Sequence, residues 1–259
     1  MALSQEKSTE GLDKTPPKAS KASEGNGKPS TPADKKVEGK DGTLLKRFPL
    51  KENKKHGEAK IYDKEGKLIR KEHYVNGVLE GPVTQFDFNG TISKQLTIKN
   101  GKLEGALLRY NKGVLSSSTQ YRAGKRHGEQ LIYSEQEKLL VKRNYVQDRL
   151  QGEVIGYDGQ DNEISKVTYV NDLRHGPSIG NYPGGGIREK AHFQNDRLEG
   201  ERIRYHVNGK PREIQSFKEG KSLGPPTFYK DSGEPEEPPG TPPKEKGWLE
   251  KILDFIFGN

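Results

Sequence analysis

The chain has 259 residues and no cysteine; 29% of them are hydrophobic, 32% are charged, and the formal net charge is +8. So little apolar material argues against a deep globular core and the enclosed site of an ordinary enzyme. The lack of cysteine excludes a disulfide framework and a thiolate metal site. Low hydrophobicity with many charges also suits a disordered chain, but 11 Tyr and 8 Phe are more than such a chain usually carries.

Residues 1–45 are rich in Lys, Ser, Pro, Gly and Glu and show no apolar period, which predicts a disordered arm. The start, MALSQEKSTEG, lacks the apolar run of a signal peptide, and no stretch nears the ~20 apolar residues of a membrane helix. The expected location is the cytoplasm, although leaderless secretion leaves no mark of this kind.

Residues 46–233 form a repeat. Glycines recur at Gly57, Gly81, Gly105, Gly128, Gly152, Gly176, Gly200 and Gly224, every 24 residues with one interval of 23. Five residues after most of these anchors stands an aromatic: Tyr62, Phe86, Tyr110, Tyr133, Tyr157, Tyr205 and Tyr229, with Tyr182 one place late. Seventeen residues after the anchor stand Tyr74, Ile98, Tyr145, Tyr169, Phe193 and Phe217, and Tyr121 keeps the phase in the short repeat.

Turn residues repeat as well. Gly66, Gly90, Gly113, Gly185, Gly209 and Gly233 mark a first turn, and Gly77, Gly101, Gly124 and Gly220 a second. Asp148, Asp172 and Asp196 replace glycine at the second turn. The pairs Asn76-Gly77, Asn100-Gly101, Asn89-Gly90 and Asn208-Gly209 all predict two-residue hairpin turns, because Asn-Gly accepts positive φ. Each unit therefore reads strand, turn, strand, turn. A unit of 24 residues has no room for a crossover helix, so the strands should be antiparallel. The predicted fold is all-β: an elongated antiparallel sheet of about eight hairpin repeats. The repeat zone nets +10, but its basic residues alternate with 24 acidic ones, so no concentrated basic stripe is expected.

Residues 234–246 carry five prolines and predict a stiff linker. In residues 247–259, Trp248, Leu249, Ile252, Leu253 and Ile256 recur at helical spacing, which predicts a short amphipathic helix. Two readings of that helix stay open. It caps the last hairpin, or it presents Trp248, Leu249, Ile252, Phe255 and Phe257 to a partner. A membrane surface is the less favoured target, because the helix has few basic residues.

The stretch YDKEGKLIRKEHYVNGVLEG (62–81) and its echo YHVNGKPREIQSFKEGK (205–221) resemble the MORN-type repeat. The variant they resemble most is that of bacterial YwqK-like antitoxins. The resemblance covers roughly 56–233 and departs where Glu137 and Asp161 take the first-turn glycine position. It implies a hairpin-repeat sheet that works by binding, without catalytic residues of its own.

Several isolated motifs fall inside this frame. Gly176-Pro177-Ser178-Ile179-Gly180 has the letters of a nucleophile elbow, but Gly176 is simply the sixth anchor and no helix follows. His56-Gly57-Glu58 and His127-Gly128-Glu129 hold half of a zinc deaminase motif whose other half needs cysteine. Gly220-Lys221-Ser222 lacks the earlier glycine of a phosphate loop. His56, His127 and His175 sit hairpins apart, too far to share an ion. No catalytic, cofactor or metal site is therefore expected. Nucleic acid is not the expected partner, since the tyrosines sit at the period that builds the sheet.

The expected function is binding of a protein: an antitoxin or immunity protein that holds a cognate toxin. The alternative is a structural adaptor for a secretion or membrane-associated complex, for which the two appendages would serve as docking devices. A secreted effector is a third reading.

Overall fold

The computed structural model describes residues 33–237. These residues form one antiparallel sheet of 23 strand segments, and no helix occurs among them. Each long strand inside the sheet pairs with the long strand before and the long strand after it, and two-residue segments such as Lys54–Lys55 and Lys102–Leu103 close a turn against the preceding strand alone. Gly57–Tyr62 pairs with Leu68–Val75, which pairs with Val78–Phe86, which pairs with Ile92–Lys99. The same stepwise order continues to Pro211–Lys218 and Thr227–Tyr229. Short connections make this the natural outcome, since a hairpin turn can only return the chain beside itself.

Outside the short repeat the two turns of a unit differ in kind, which corrects part of the turn reading. At the second turn, Asn76 and Gly77 have φ of 50° and 89°, and Asn100 and Gly101 have 51° and 71°. Both central residues are left-handed, as a two-residue hairpin requires. Asn89-Gly90 and Asn208-Gly209 are different, because only the glycine has positive φ. They belong to a longer loop. Asp87 N donates to Thr91 O, Gly90 N donates to Asp87 O, and the Asp87 carboxylate accepts from Asn89 N and Thr91 N. The carboxylate holds a turn that a two-residue loop would not need. Glu137 and Asp161 stand at the glycine place of the same loop with φ of 58° and 65°, so they keep its geometry. The short repeat has a simple origin. Lys112 and Gly113 (φ 50° and 85°) make a two-residue turn where its neighbours use the longer loop.

The sheet begins before the predicted boundary at residue 46. Ala33–Glu38 pairs with Leu44–Lys51 through a turn closed by Gly39 N and Thr43 O. All of its residues are exposed, so the strand shows no apolar alternation to reveal it. Backbone pairing and the Arg47–Asp34 ion pair hold it. At the other end Pro235–Glu236 pairs with Thr227–Tyr229, inside the stretch predicted as linker. Gly224 is also unlike the other anchors: its φ is not positive and no strand starts there. The predicted helix at 247–259, with Trp248, Leu249, Ile252, Phe255 and Phe257, lies outside the described residues.

The core is thin and lies on one face. Residues directly opposite in an antiparallel pair point to the same side. Ala59 faces Glu72, Glu72 faces Val83, and Leu107 faces Thr119. All five are buried, as are Phe48, Tyr145, Ala191 and Glu213. Tyr74 shares this face with Glu72, to which its hydroxyl donates at 2.7 Å. The two aromatic sets part company here. Ile61 pairs with Arg70 on the core face, so its neighbour Tyr62 points the other way. Tyr110 does the same and donates to Gln95 at 2.8 Å on that second face.

Candidate interaction surface

Each anchor glycine sits where the strand is interrupted or bulged. Gly57, Gly81, Gly128 and Gly176 have φ between 99° and 108°. Around Gly81, the register jumps from Glu72↔Val83 to Tyr74↔Leu79, so His73 faces three residues. Gly152 and Gly200 follow a break in the strand, where Gln151 N donates to Asn144 O and Glu199 N to His192 O. The bulge re-aims the chain so that the residue before the anchor reaches the next turn.

That residue is a cap. Glu80 accepts from Asn100 N at 2.8 Å, Glu104 from Ala123 N at 2.8 Å, and Glu199 from Glu219 N at 2.8 Å. Gln151 accepts from Asn171 N at 3.2 Å. His56 and His175 hold the same place, with Nδ1 3.3 Å and 3.2 Å from Asn76 Oδ1 and Asn195 Oδ1. Two of the three His-Gly pairs, at His56 and His175, are thus one version of a turn cap that is elsewhere Glu or Gln. The Asp residues of the second turn work in the opposite direction. Asp148 accepts from Arg126 N at 2.9 Å, Asp172 from Leu150 N at 2.7 Å, and Asp196 from Arg174 N at 3.0 Å. Those bonds offset the strain of positive φ. The backbone bond from Arg126 holds the Asp148 carboxyl below the usual carboxylate range, and the Arg174 side chain, then its backbone N–H, does the same for Asp196.

The position two before the anchor packs on the second aromatic set. Lys55 lies 4.6 Å from the Tyr74 ring, Arg126 4.0 Å from Tyr145, and Arg174 4.2 Å from Phe193. Leucine pairs with the other side of the same rings: Leu79 with Tyr74, Leu150 with Tyr145, and Leu198 with Phe193. Each of these rings is therefore held between a cation and an aliphatic chain, which is how an exposed sheet gains packing without a second layer. Of the remaining tyrosines in the frame, Tyr169 faces Arg174 across its hairpin. Tyr133 and Tyr157 face Leu139 and Glu163, and Lys190 lies 5.9 Å from the Tyr205 ring.

Tyr74 makes a testable pair with Glu72. Burial, then the hydrogen bond to the Glu72 carboxylate, pushes the Tyr74 phenol up to about 12. Arg70 Nε lies 2.8 Å from Glu72 Oε1, without the alignment of a hydrogen bond, and completes the cluster. The unfolded phenol titrates near ~10. The raised value gives stability that is fully present below pH ~10 and lost as pH rises toward about 12. Partial exposure reduces it to the order of 1 kcal/mol. Tyr74→Phe should remove that alkaline step, read by urea unfolding at stepped pH. At neutral pH it should cost about 1 kcal/mol for the lost bond.

The remaining chemistry is sparse. Ser178 of the elbow-like sequence lies inside Leu173–Asn181 and pairs with Ala191, so no strand-to-helix turn exists there. Among the described residues no three His, Cys, Asp or Glu converge to hold a metal. The hollows are open and shallow. One of about 400 Å³ on the core face is lined by Glu189, Phe193, Arg202 and Arg204 among others. Arg202 and Arg204 there are engaged with Glu189 and Glu213 at 2.8–3.0 Å. No helix of the described residues is long and apolar enough to cross a membrane.

With the anchors, caps and turns in place, the repeat can be compared with known families. Residues 55–76, 79–100 and 198–219 each match the MORN repeat variant. The chain contains MORN repeats. Each matched segment opens two residues before an anchor glycine, at the ring-packing position, and closes within the second turn. The MORN frame and the structural frame therefore coincide. Between 101 and 197 lie the short loop at Lys112-Gly113, the Glu137 and Asp161 turns, and the Asp-bearing second turns. These depart from the glycine pattern in letters while keeping its backbone. A comparison with curated proteins gives no match.

Proposed function

We propose that this chain is a non-enzymatic, protein-binding repeat protein, and that its partner is a bacterial toxin which it holds and neutralises. The observation that carries the binding part is the sheet itself. Its two faces and two rows of turns are laid out by MORN repeats, and its described polar clusters are spent on caps and ring packing. A broad, rigid surface with alternating charged and aromatic side chains suits a wide polar interface. The toxin part rests on the resemblance of 62–81 and 205–221 to YwqK-like antitoxins.

Co-expression with the products of neighbouring genes tests both parts. Rescue from a toxic neighbour, with the two proteins co-purifying, is the expected result. A stable protein partner without any rescue would keep the binding reading and remove the antitoxin reading. No partner and no rescue would remove both.

A further inference from the structure

The basic residues alternate with acidic ones along the chain, yet the fold sorts them. Successive turns fall on opposite edges of a meandering sheet, so residues about twelve apart in sequence separate in space. The second-turn edge consists of 51–54, 75–78, 99–102, 122–125, 146–149, 170–173, 194–197 and 218–221. These turns hold ten Lys or Arg against five Asp or Glu. The first-turn edge, from 63–67 to 230–234, holds nine Asp or Glu against six Lys or Arg. The expectation of no basic stripe is thus overturned in space. It also fails locally: residues 92–127 carry eight Lys or Arg and one acid, Glu104, which is occupied by Ala123 N.

The basic edge has a specific construction. Lys51 faces Lys54, Lys99 faces Lys102, Arg122 faces Lys125, and Lys218 faces Lys221 across their turns. Like charges directly opposite each other are destabilising. All eight side chains are exposed, and none forms an ion pair among the described residues. Three of the five acids on this edge, Asp148, Asp172 and Asp196, are tied to backbone amides. Several of the remaining closing positions carry exposed aliphatics: Val75, Val78, Val146, Val170 and Leu173. Turn-to-turn bonds, such as Gly77 N to Lys55 O and Gly124 N to Leu103 O, hold successive turns in line. The turns lie two strands apart, about 10 Å, which is three residues of an extended chain.

We propose that this edge, centred on Lys99, Lys102, Arg122 and Lys125, docks an extended acidic segment of a protein partner, with aliphatic residues set between its carboxylates. This rests on the protein-binding reading above. Charge complementarity selects the acids and the interspersed valines select the aliphatics, a mixture that a nucleic-acid backbone does not offer.

The test uses the full chain and a fluorescent peptide of about 20 residues, with glutamate at every third position and leucine between. Binding should weaken as salt rises. Reversing Lys99, Lys102, Arg122 and Lys125 to Glu should weaken it by roughly tenfold or more. Reversing Lys64, Lys67, Lys112 and Lys138 on the opposite edge changes net charge equally and should matter less than about twofold. The single change Lys102→Glu relieves the pair with Lys99, so it should weaken binding while Tm stays level or rises. A merely structural lysine would lower Tm.

Equal losses from both edges would overturn the assignment, because net charge alone would then explain binding. So would a peptide that does not bind. Tighter binding of duplex DNA or of phosphatidylserine vesicles, lost with the same four reversals, would overturn it in favour of another polyanion. If a toxin found by co-expression still co-purifies with the edge-reversed chain, the protein-binding reading stands and the edge assignment falls.

Discussion

Replacing Gly81 by valine should destabilise the chain by about 2–4 kcal/mol, whereas Gly224→Ala should stay within roughly 0.5 kcal/mol of the parent. Both glycines occupy the same place in the sequence period, so the contrast isolates backbone geometry from pattern. Gly81 has φ of 107°, a region that a β-branched residue strongly avoids. A Cβ there would also meet His73 Nδ1 at 3.1 Å and His73 Cβ at 3.3 Å. Moving His73 away would break its 2.8 Å contact from Nδ1 to Glu80 O, and Glu80 caps the turn at Asn100. Strain, crowding and a lost cap therefore act together. At Gly224 φ is not positive and a Cβ meets nothing within 4 Å. Urea unfolding reads the difference. Amide exchange should place the damage in the hairpins on either side of Gly81, since repeat stability is passed between neighbours.

Gly224 also shows what the sequence period could and could not convey. Periodicity reports that a residue recurs, and at the other anchors the recurring glycine marks a bulge or strand break with positive φ. The last member recurs without the bulge, because the strand that should follow begins only at Thr227. The alternation of strands and turns was legible because glycine and Asn-Gly are needed wherever φ is positive. Turn type was less legible. Asn76-Gly77 and Asn89-Gly90 have the same letters, and only the Asp87 carboxylate separates the longer loop from the two-residue turn. The strand Ala33–Glu38 was invisible for a different reason. An exposed edge strand needs no apolar alternation, only backbone partners, and those belong to its neighbour.

The caps and the basic edge lie at a further remove. His56, Glu80, Gln151 and His175 do the same work with different chemistry, so no single residue type recurs to mark the position. Aligning the chain on its anchors brings them together, and it is the structure that shows them reaching a turn about 20 residues further on. Charge was hidden by averaging. Two turns of opposite character alternate along the chain, and any window wide enough to count charges spans both. Only their assignment to opposite edges separates Lys99 and Lys102 from Glu135 and Glu137.

Tyr145→Ala should be the second severe substitution, costing about 3–4 kcal/mol. Tyr145 is only 3% exposed, an unusual state in a sheet with so thin a core. The Arg126 guanidinium lies 4.0 Å from its ring centre and that of Arg143 lies 5.6 Å away, while Leu150 pairs with it across the hairpin. Truncation would remove the ring and leave two guanidiniums over a void. Leucine should recover part of the loss by refilling volume, but not the attraction of ring to cation. Arg126 has a second task, since its side chain also reaches Asp148 Oδ1 at 3.2 Å and Asp148 O at 2.9 Å. A double-mutant cycle separates the two. Tyr145→Ala in an Arg126→Ala background should cost about 0.5–2 kcal/mol less than in the parent, the share owed to the stacked cation. The same cycle run with Asp148→Gly in place of Tyr145→Ala reports the share owed to the turn. If Tyr145 and Arg126 proved additive, the guanidinium would be resting on the ring without holding it, and Asp148 alone would account for the arginine.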